Sequence, residues 1–97
     1  MGIVQEVTET SSLRRGRDLL EATLDDEVIL LSVERGFYYS LDDIGSDIWR
    51  RIVTPCRASD LFAALSKDYD ADAATVARDV LPLLREMAAE GLIDVSG

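Results

Sequence analysis

The residues that most often do chemistry in enzymes are sparse in this chain. It has no histidine and a single cysteine, Cys56, which follows Pro55 in a predicted loop. A thiol becomes strongly nucleophilic when a neighbouring base or positive charge lowers its pKa, and histidine is the usual base. Histidine is also the commonest metal ligand. With no Gly-rich phosphate loop and no Ser/His/Asp set, the sequence predicts no catalytic residue, no metal site and no cofactor.

The side chains that favour binding are concentrated between Gly36 and Trp49. The segment Phe37–Leu41 reads Phe-Tyr-Tyr-Ser-Leu, an aromatic run typical of a β-strand, and a helix follows it at once. A strand that enters a helix so abruptly forms a rigid corner. Since a sheet that is covered on one side buries one face, at least one of Phe37 and Tyr38 should reach the surface as a binding anchor. Tyr39 and Trp49 fit better as core side chains.

Length and charge narrow the classes of function. The 97 residues suit one domain, and the apolar fraction of 47% is typical of a globular protein. The net charge is 10 − 19 = −9, which argues against nucleic acid as a partner and is compatible with a basic or neutral peptide. We find no apolar run of membrane-spanning length and no signal peptide in residues 1–10, and therefore expect a cytoplasmic protein without a membrane partner.

Three strands are predicted upstream of the corner. Residues 19–24 alternate in polarity, residues 27–33 are almost continuously apolar, and Phe37–Leu41 follows. The short breaks at Asp25-Asp26 and at Gly36, which we expect at positive φ, make the three strands an antiparallel meander with the third strand at one edge. Residues 1–17 are predicted as a flexible or partly ordered arm, with a short strand near Ile3, Val4 and Val7, and residues 18–97 as the domain.

Three helices should follow the meander. The first spans residues 43–52, with Asp42 or Asp43 as its N-cap, and the second begins at Ser59 as its N-cap. The third spans residues 73–90 after a cap at Asp70 or Asp72, and Gly91 reads as its C′ residue. Pro82 lies inside this helix, where we predict a kink; a break into two helices near Leu81 is the alternative.

The apolar arc of the third helix is wider than a surface helix needs. Its narrow core stripe comprises Val76, Val80, Leu83 and Met87. A second, alanine-rich flank adds Ala74, Ala77, Leu81, Leu84 and Ala88. That flank either packs on the sheet or on the N-terminal arm, or forms one wall of a groove. The opposite flank is acidic, with Asp79, Glu86 and Glu90.

These elements predict an α+β, winged-helix-like domain, a three-stranded antiparallel β-meander followed by three α-helices. Winged helices often bind DNA, so a DNA-binding or transcription-regulator domain is the second hypothesis after peptide binding. The acidic charge and the lack of a basic helix stripe speak against it. A thiol enzyme using Cys56 is the third hypothesis.

The sequence resembles the PqqD-like family along most of its length. The pattern is Tyr38-Tyr39-x-Leu41-Asp42-x-x-Gly45-x-x-Ile48-Trp49, and the resemblance extends over residues 19–93. Family members are small domains that recognise the leader segment of ribosomally made, post-translationally modified peptides. The short, stand-alone length is most similar to members that serve lasso-peptide biosynthesis.

The resemblance implies a non-catalytic module that binds a precursor's leader region by β-strand addition. Its implied partners are that leader and a leader peptidase, a transglutaminase-like cysteine protease, with the cyclase as a further candidate. The implied strand is Phe37, Tyr38, Tyr39, Ser40 and Leu41. The implied helix wall is drawn from Val76, Ala77, Val80, Leu81 and Leu84. Arg78 and Arg85 are either solvated positions or attract leader carboxylates.

Overall fold

The structure, a computed structural model, describes residues 7–96. In chain order the elements are β1 Ser12–Arg15, β2 Leu19–Leu24, β3 Glu27–Ser32, β4 Phe37–Ser40, α1 Asp43–Arg51, β5 Cys56–Arg57, α2 Ala58–Asp68, α3 Ala73–Ala89 and β6 Ile93–Ser96. They form two three-stranded antiparallel sheets, ordered β2-β3-β4 and β5-β1-β6. The prediction of an α+β domain with a meander before three helices is confirmed, and the second sheet was not predicted.

The first sheet, called here the meander sheet, is held in register by its turns. Leu24 pairs with Glu27, so the first hairpin loop has two residues, Asp25 and Asp26, at φ 51° and 69°. Positive φ at both positions matches the twist of the flanking strands. Gly36 closes the second turn at φ 74°, and its N–H donates to the Ser32 carbonyl at 2.9 Å. The expected positive φ at Gly36 is thus confirmed.

The second sheet joins the two ends of the chain. β1 pairs with β5 through Leu13↔Cys56 and with β6 through Leu13↔Val95. The Leu13 side chain is 0% exposed. Instead of the arm predicted for residues 1–17, residues 12–15 therefore form the central strand of a sheet, and Val7 is buried outside any strand. Ile3 and Val4 lie outside the described residues.

The helices begin and end close to the predicted positions, for partly different reasons. Asp42 caps α1 as expected, since its Oδ1 accepts from the Gly45 N–H at 2.8 Å. The N-cap predicted at Ser59 is wrong, because α2 begins two residues earlier than that cap implies, with Arg57 at the cap position and no side-chain bond. Backbone carbonyls replace the cap: the Ala58 N–H donates to Ser11 at 2.8 Å and the Ser59 N–H to Glu9 at 2.9 Å.

The third helix runs without a break across Pro82, so the two-helix alternative is wrong. Its end is a Schellman motif. The Leu92 N–H donates to Met87 at 2.9 Å, the Gly91 N–H donates to Ala88 at 3.1 Å, and Gly91 has φ 76°. Gly91 is the predicted C′ residue. The chain can then turn directly into β6.

Gly16 should tolerate no side chain. It lies where β1 leaves the second sheet, and its N–H donates to Leu92 at 2.9 Å. A Cβ at this position would lie 2.3 Å from the Gly91 carbonyl oxygen and 3.0 Å from the Leu92 carbonyl carbon. Both are backbone atoms, so Gly16→Ala would force β1 away from the turn before β6. We expect Gly16→Ala to lower the free energy of unfolding by about 1–3 kcal/mol in urea titrations. Arg17→Ala, at the exposed neighbouring position, should change it by less than about 0.5 kcal/mol.

Candidate functional site: a cleft beside the edge strand

One edge of β4 carries main-chain groups that no other strand within residues 7–96 uses. In that range β4 pairs only with β3, in the register Leu30↔Tyr39 and Leu31↔Tyr38. The Leu41 N–H donates to the Val28 carbonyl at 2.9 Å. Because hydrogen-bonded and non-hydrogen-bonded pairs alternate in an antiparallel ladder, Tyr39 also bonds to β3. The N–H and C=O groups of Tyr38 and Ser40 therefore point away from the sheet, where another strand could pair with them.

Two hydrogen-bonded contacts hold the corner after β4. Asp42 caps α1, as described above. Ser46, on the first turn of α1, is completely buried, and its hydroxyl accepts from the Val28 N–H at 2.9 Å and donates to the Leu41 carbonyl at 3.1 Å. One side chain thus joins β3, the end of β4 and α1. The edge strand is held in place by its own sheet and by the helix that follows it.

A cleft of about 400 Å³ lies between β4 and the second half of α3. Its strand side is Tyr38, Tyr39, Ser40 and Leu41, and its helix side is Leu83, Glu86, Met87 and Glu90. A second pocket of about 440 Å³ shares Asp42 and Leu83 with the cleft. That pocket is lined mainly by Ile44, Leu65, Tyr69, Val76, Asp79 and Val80. The two together form a groove, called here the β4–α3 groove, along one side of α3.

A side-chain bond crosses the groove near the end of α3. The Tyr39 hydroxyl donates to Glu90 Oε2 at 2.8 Å, and Arg35 Nη1 lies 3.5 Å from the same oxygen. Glu90 is the C-cap residue of α3, and Arg35 belongs to the turn before β4. The contact ties the edge strand to the helix opposite it and limits how far the groove can widen at this end.

The residues predicted for the strand line the groove more fully than the residues predicted for the helix wall. Phe37 and Tyr38 are 63% and 73% exposed, and Tyr39 is half-buried. The strand residues from Tyr38 to Leu41 all line the cleft, and Val76 and Val80 line the second pocket although they are mostly buried. The other three helix residues line neither pocket: Ala77 and Leu81 are half-buried against the core, and Leu84 is 0% exposed within it.

The sequence prediction missed the helix face that does line the groove. Leu83 and Met87 were assigned to the core stripe, which is correct for Met87, 3% exposed within the core, and Glu86 and Glu90 were assigned to an acidic flank. In the structure these four residues lie together opposite β4. The sequence does place apolar and acidic residues side by side on α3, where the core stripe meets the acidic flank. A solvated helix face and the rim of a groove share that pattern.

An ion-pair network holds α1 against the end of α2 beside the second pocket. Asp47 accepts from Arg51 Nε at 2.8 Å and from the Tyr69 hydroxyl at 2.6 Å, and Arg51 also donates to Asp68 at 2.6 Å. Burial of the Asp47 carboxyl by itself raises its pKa. The bonds from Arg51 and Tyr69 outweigh that effect, so the pKa of Asp47 lies below its ordinary value. The hydrogen bond that Tyr69 donates to Asp47 also raises the pKa of the Tyr69 hydroxyl.

The lowered pKa of Asp47 predicts an acid-sensitive contribution to stability. Protons bind the unfolded carboxyl more tightly than the folded one, so the contribution is complete above the unfolded pKa of about 4. It is lost as the pH falls through the lower pKa of the folded state. In urea titrations between pH 7 and pH 3, we expect the free energy of unfolding to fall less steeply for Asp47→Asn than for the wild type. Parallel curves would mean that Asp47 is not stabilised as an anion.

Cys56 lies apart from the groove, in β5. Burial is the main cause that raises the pKa of its thiol, and the nearby Asp60 carboxylate adds to it. Its small pocket is lined by Arg51, Asp60, Leu61 and Ala64. At neutral pH the sulfur is therefore protonated more fully than a free thiol. Within residues 7–96 no group of three or more His, Cys, Asp or Glu side chains is placed to hold a metal ion. None of the helices in that range is long and apolar enough to cross a membrane.

The fold and the groove define a class of protein: a small α+β domain with an exposed edge strand facing a helix. Within that class the chain belongs to the PqqD family, since residues 27–93 match the family described as coenzyme PQQ synthesis protein D (PqqD). Among curated proteins no match is found.

Two solved structures resemble the chain closely. The structure described as "TbiB1 in Complex with the TbiA(beta) Leader Peptide" is 33% identical, with a TM-score of 0.76 over 84% of this chain and 94% of that one. A lasso peptide synthetase B1 complexed with the leader peptide is 22% identical, with a TM-score of 0.74 over 84% of this chain and 96% of that one. The second likeness supports the fold.

Proposed function

We propose that this chain is a leader-binding module of lasso-peptide biosynthesis. The observation that carries the proposal is the free edge of β4, where the main chains of Tyr38 and Ser40 face a groove walled by α3. The leader of a ribosomally made precursor pairs with this edge as a fourth strand of the meander sheet. The complex of TbiB1 with a leader peptide supports this assignment. Binding takes place in the cytoplasm, where ribosomes make the precursor.

In strand addition, the main chain and the side chains of the added peptide contribute differently to binding. Hydrogen bonds to Tyr38 and Ser40 set the register and supply part of the affinity without regard to sequence. Alternate side chains of the added strand point to opposite faces of the sheet. Those on the inner face meet Leu83 and Met87 across the groove, and those on the outer face lie beside the exposed Tyr38 ring.

The proposal is tested with the precursor encoded beside this chain. Its leader segment, synthesised with a fluorescein label, is titrated with purified protein and followed by anisotropy. We expect saturable binding at micromolar concentration or tighter, and at least about tenfold weaker binding of a scrambled leader. Tyr38→Ala should weaken binding several-fold, since it removes an exposed aromatic side chain from the edge strand. A folded wild-type protein that binds neither peptide would overturn the proposal.

We further propose that the module is not a catalyst. The raised pKa of the Cys56 thiol leaves little thiolate at neutral pH, and the thiol lies in β5 away from the groove. Cys56→Ser should therefore bind leader as the wild type does and support the same rate of precursor cleavage by the partner peptidase. Loss of cleavage with normal leader binding would instead assign chemistry to Cys56.

The partner peptidase, a transglutaminase-like cysteine protease, is proposed to dock on the outer face of the meander sheet. Leu20, Leu31 and Tyr38 are opposite one another in adjacent strands and are all exposed. Leu24 and Val33 extend this apolar face. A leader strand added at β4 would continue the same surface, so a protein docked there meets both the module and its bound leader. The cyclase is a further candidate partner that could bind the module together with its leader.

A surface variant separates docking from leader binding. Leu20 lies in β2, at the opposite edge from β4, and is 59% exposed. We expect Leu20→Glu to bind leader normally and to lose peptidase stimulation, because it places a charge in the apolar contact. Val53→Glu is the matched control, since Val53 is 66% exposed after α1 and outside the sheet. Equal stimulation by Leu20→Glu and the wild type would exclude this docking face.

A further inference from the structure

Within residues 7–96, the charged side chains that line the β4–α3 groove are all of one sign. They are four carboxylates, Asp42, Asp79, Glu86 and Glu90, with no Lys or Arg from that range among the lining residues. A cleft with apolar walls and one sign of charge raises the local concentration of oppositely charged ligands and speeds their association. Like charges brought into such a cleft are penalised.

The four carboxylates are not equally available to a ligand. Asp42 caps α1, and Asp79 lies 3.5 Å from Arg78. Glu90 accepts from Tyr39 and lies 3.5 Å from Arg35. Among the residues that the structure describes, no group pairs with the Glu86 carboxylate, which is exposed in the cleft with Leu83 and Met87.

Glu86 also lies where sequence selection has to occur. Main-chain pairing with β4 would accept almost any extended peptide. Discrimination therefore depends on the inward-facing side chains of the added strand, and the helix residues opposite β4 are Leu83, Glu86, Met87 and Glu90. The two apolar residues accept an aliphatic or aromatic side chain. The two carboxylates lie one helical turn apart, within reach of one long side chain.

We infer that the groove selects a leader with a Lys or Arg on its inward-facing side, bound by Glu86 with Glu90 as the second acidic contact. This inference rests on the proposed leader binding and names the chemistry that the groove prefers. Glu86 is the principal specificity residue because, among the described residues, its carboxylate has no partner that it would have to release. Glu90 contributes less, since Tyr39 and Arg35 already neutralise part of its charge.

The test combines substitutions in the protein and in the peptide. The labelled leader of the neighbouring precursor is synthesised with each Lys or Arg replaced in turn by Gln, and each peptide is titrated against four proteins: wild type, Glu86→Gln, Glu90→Gln and Glu9→Gln. Glu90→Gln keeps an acceptor for Tyr39, and Glu9→Gln makes the same charge change at an exposed residue outside the groove.

We expect one basic position whose neutralisation weakens binding to the wild type by about three- to tenfold, the range for a partly covered ion pair. Glu86→Gln should weaken binding of the unmodified leader by a similar factor and should no longer discriminate between the two peptides. Glu9→Gln should bind as the wild type does. Because the pair is partly exposed, the difference should shrink between 50 mM and 300 mM NaCl.

Two results would overturn the inference while leaving leader binding intact. One is a leader that binds tightly without any Lys or Arg in its bound segment. The other is Glu86→Gln binding as tightly as the wild type and still discriminating between the peptides. If the folded wild type binds no leader at all, the proposed function fails instead, so the two failures are distinct.

Discussion

Ser40→Pro should weaken leader binding by at least about tenfold while the domain stays folded. The Ser40 N–H points away from β3, so proline removes a donor that no acceptor within residues 7–96 uses. The ring would also project into the path of the added strand. Losing one main-chain bond and straining its neighbours costs about 1.4–2.8 kcal/mol, which is roughly ten- to a hundredfold in affinity. Anisotropy titration measures the loss, and circular dichroism with urea unfolding measures the fold.

Two controls make the Ser40 result specific to the main chain. Ser40→Ala keeps the N–H and should bind leader within about twofold of the wild type. Tyr39→Pro removes a donor that β4 directs towards β3, so the lost ladder bond alone should lower the free energy of unfolding by about 1–3 kcal/mol. Normal binding by a folded Ser40→Pro protein would rule out strand addition at β4, whatever else the groove binds.

An open strand edge usually invites pairing between copies of the same protein. Several features limit this here. β4 has only four residues, so a second copy could form few main-chain hydrogen bonds with it. The groove beside it carries Glu86 and Glu90, and the chain has a net charge of −9, so two copies approaching at this edge repel each other. A cationic segment is attracted by the same charges, which makes the edge selective as well as accessible.

The meander sheet was predictable because its signals are local. Each signal determines the backbone of only the few residues around it. The signals are the alternating polarity in residues 19–24, the two-residue Asp-Asp turn and Gly36. The second sheet was not predictable in this way. β1, β5 and β6 have four residues or fewer, and β1 pairs with a segment at the far end of the chain. The pairing of β1 with β5, through Ser12↔Arg57, explains why α2 uses the carbonyls of Ser11 and Glu9 instead of a Ser59 cap.

The candidate site was predictable on its strand and not on its helix. An edge strand follows from the order of a meander, and at least one exposed aromatic side chain on β4 follows from the pleat. Periodicity groups the residues of α3 into faces, but it does not say which apolar face lies on the core. Leu83 and Leu84 are adjacent, about 100° apart around the helix. Only the tertiary structure shows that Leu84 is in the core and that Leu83 lies in the groove.

Substitution of Leu84 should therefore lower mainly stability, and substitution of Leu83 should lower mainly leader affinity. Leu84→Ala opens a cavity at a side chain that is 0% exposed and should lower the free energy of unfolding by about 2–5 kcal/mol. Leader affinity per folded molecule should change little. Leu83→Ala removes a half-buried side chain that lines both pockets of the groove. It should weaken leader binding by about tenfold, the effect of losing one apolar contact of 1–2 kcal/mol.

The comparison needs conditions in which both variants are folded, such as low temperature, with the folded fraction taken from urea curves. The two proteins differ by the same chemical change at neighbouring positions of one helix, so each serves as the control for the other. If Leu84→Ala weakened binding more than Leu83→Ala at equal folded fraction, the helix face originally predicted from the sequence would form the wall. The ratio of the two affinities thus decides which side of α3 the leader touches.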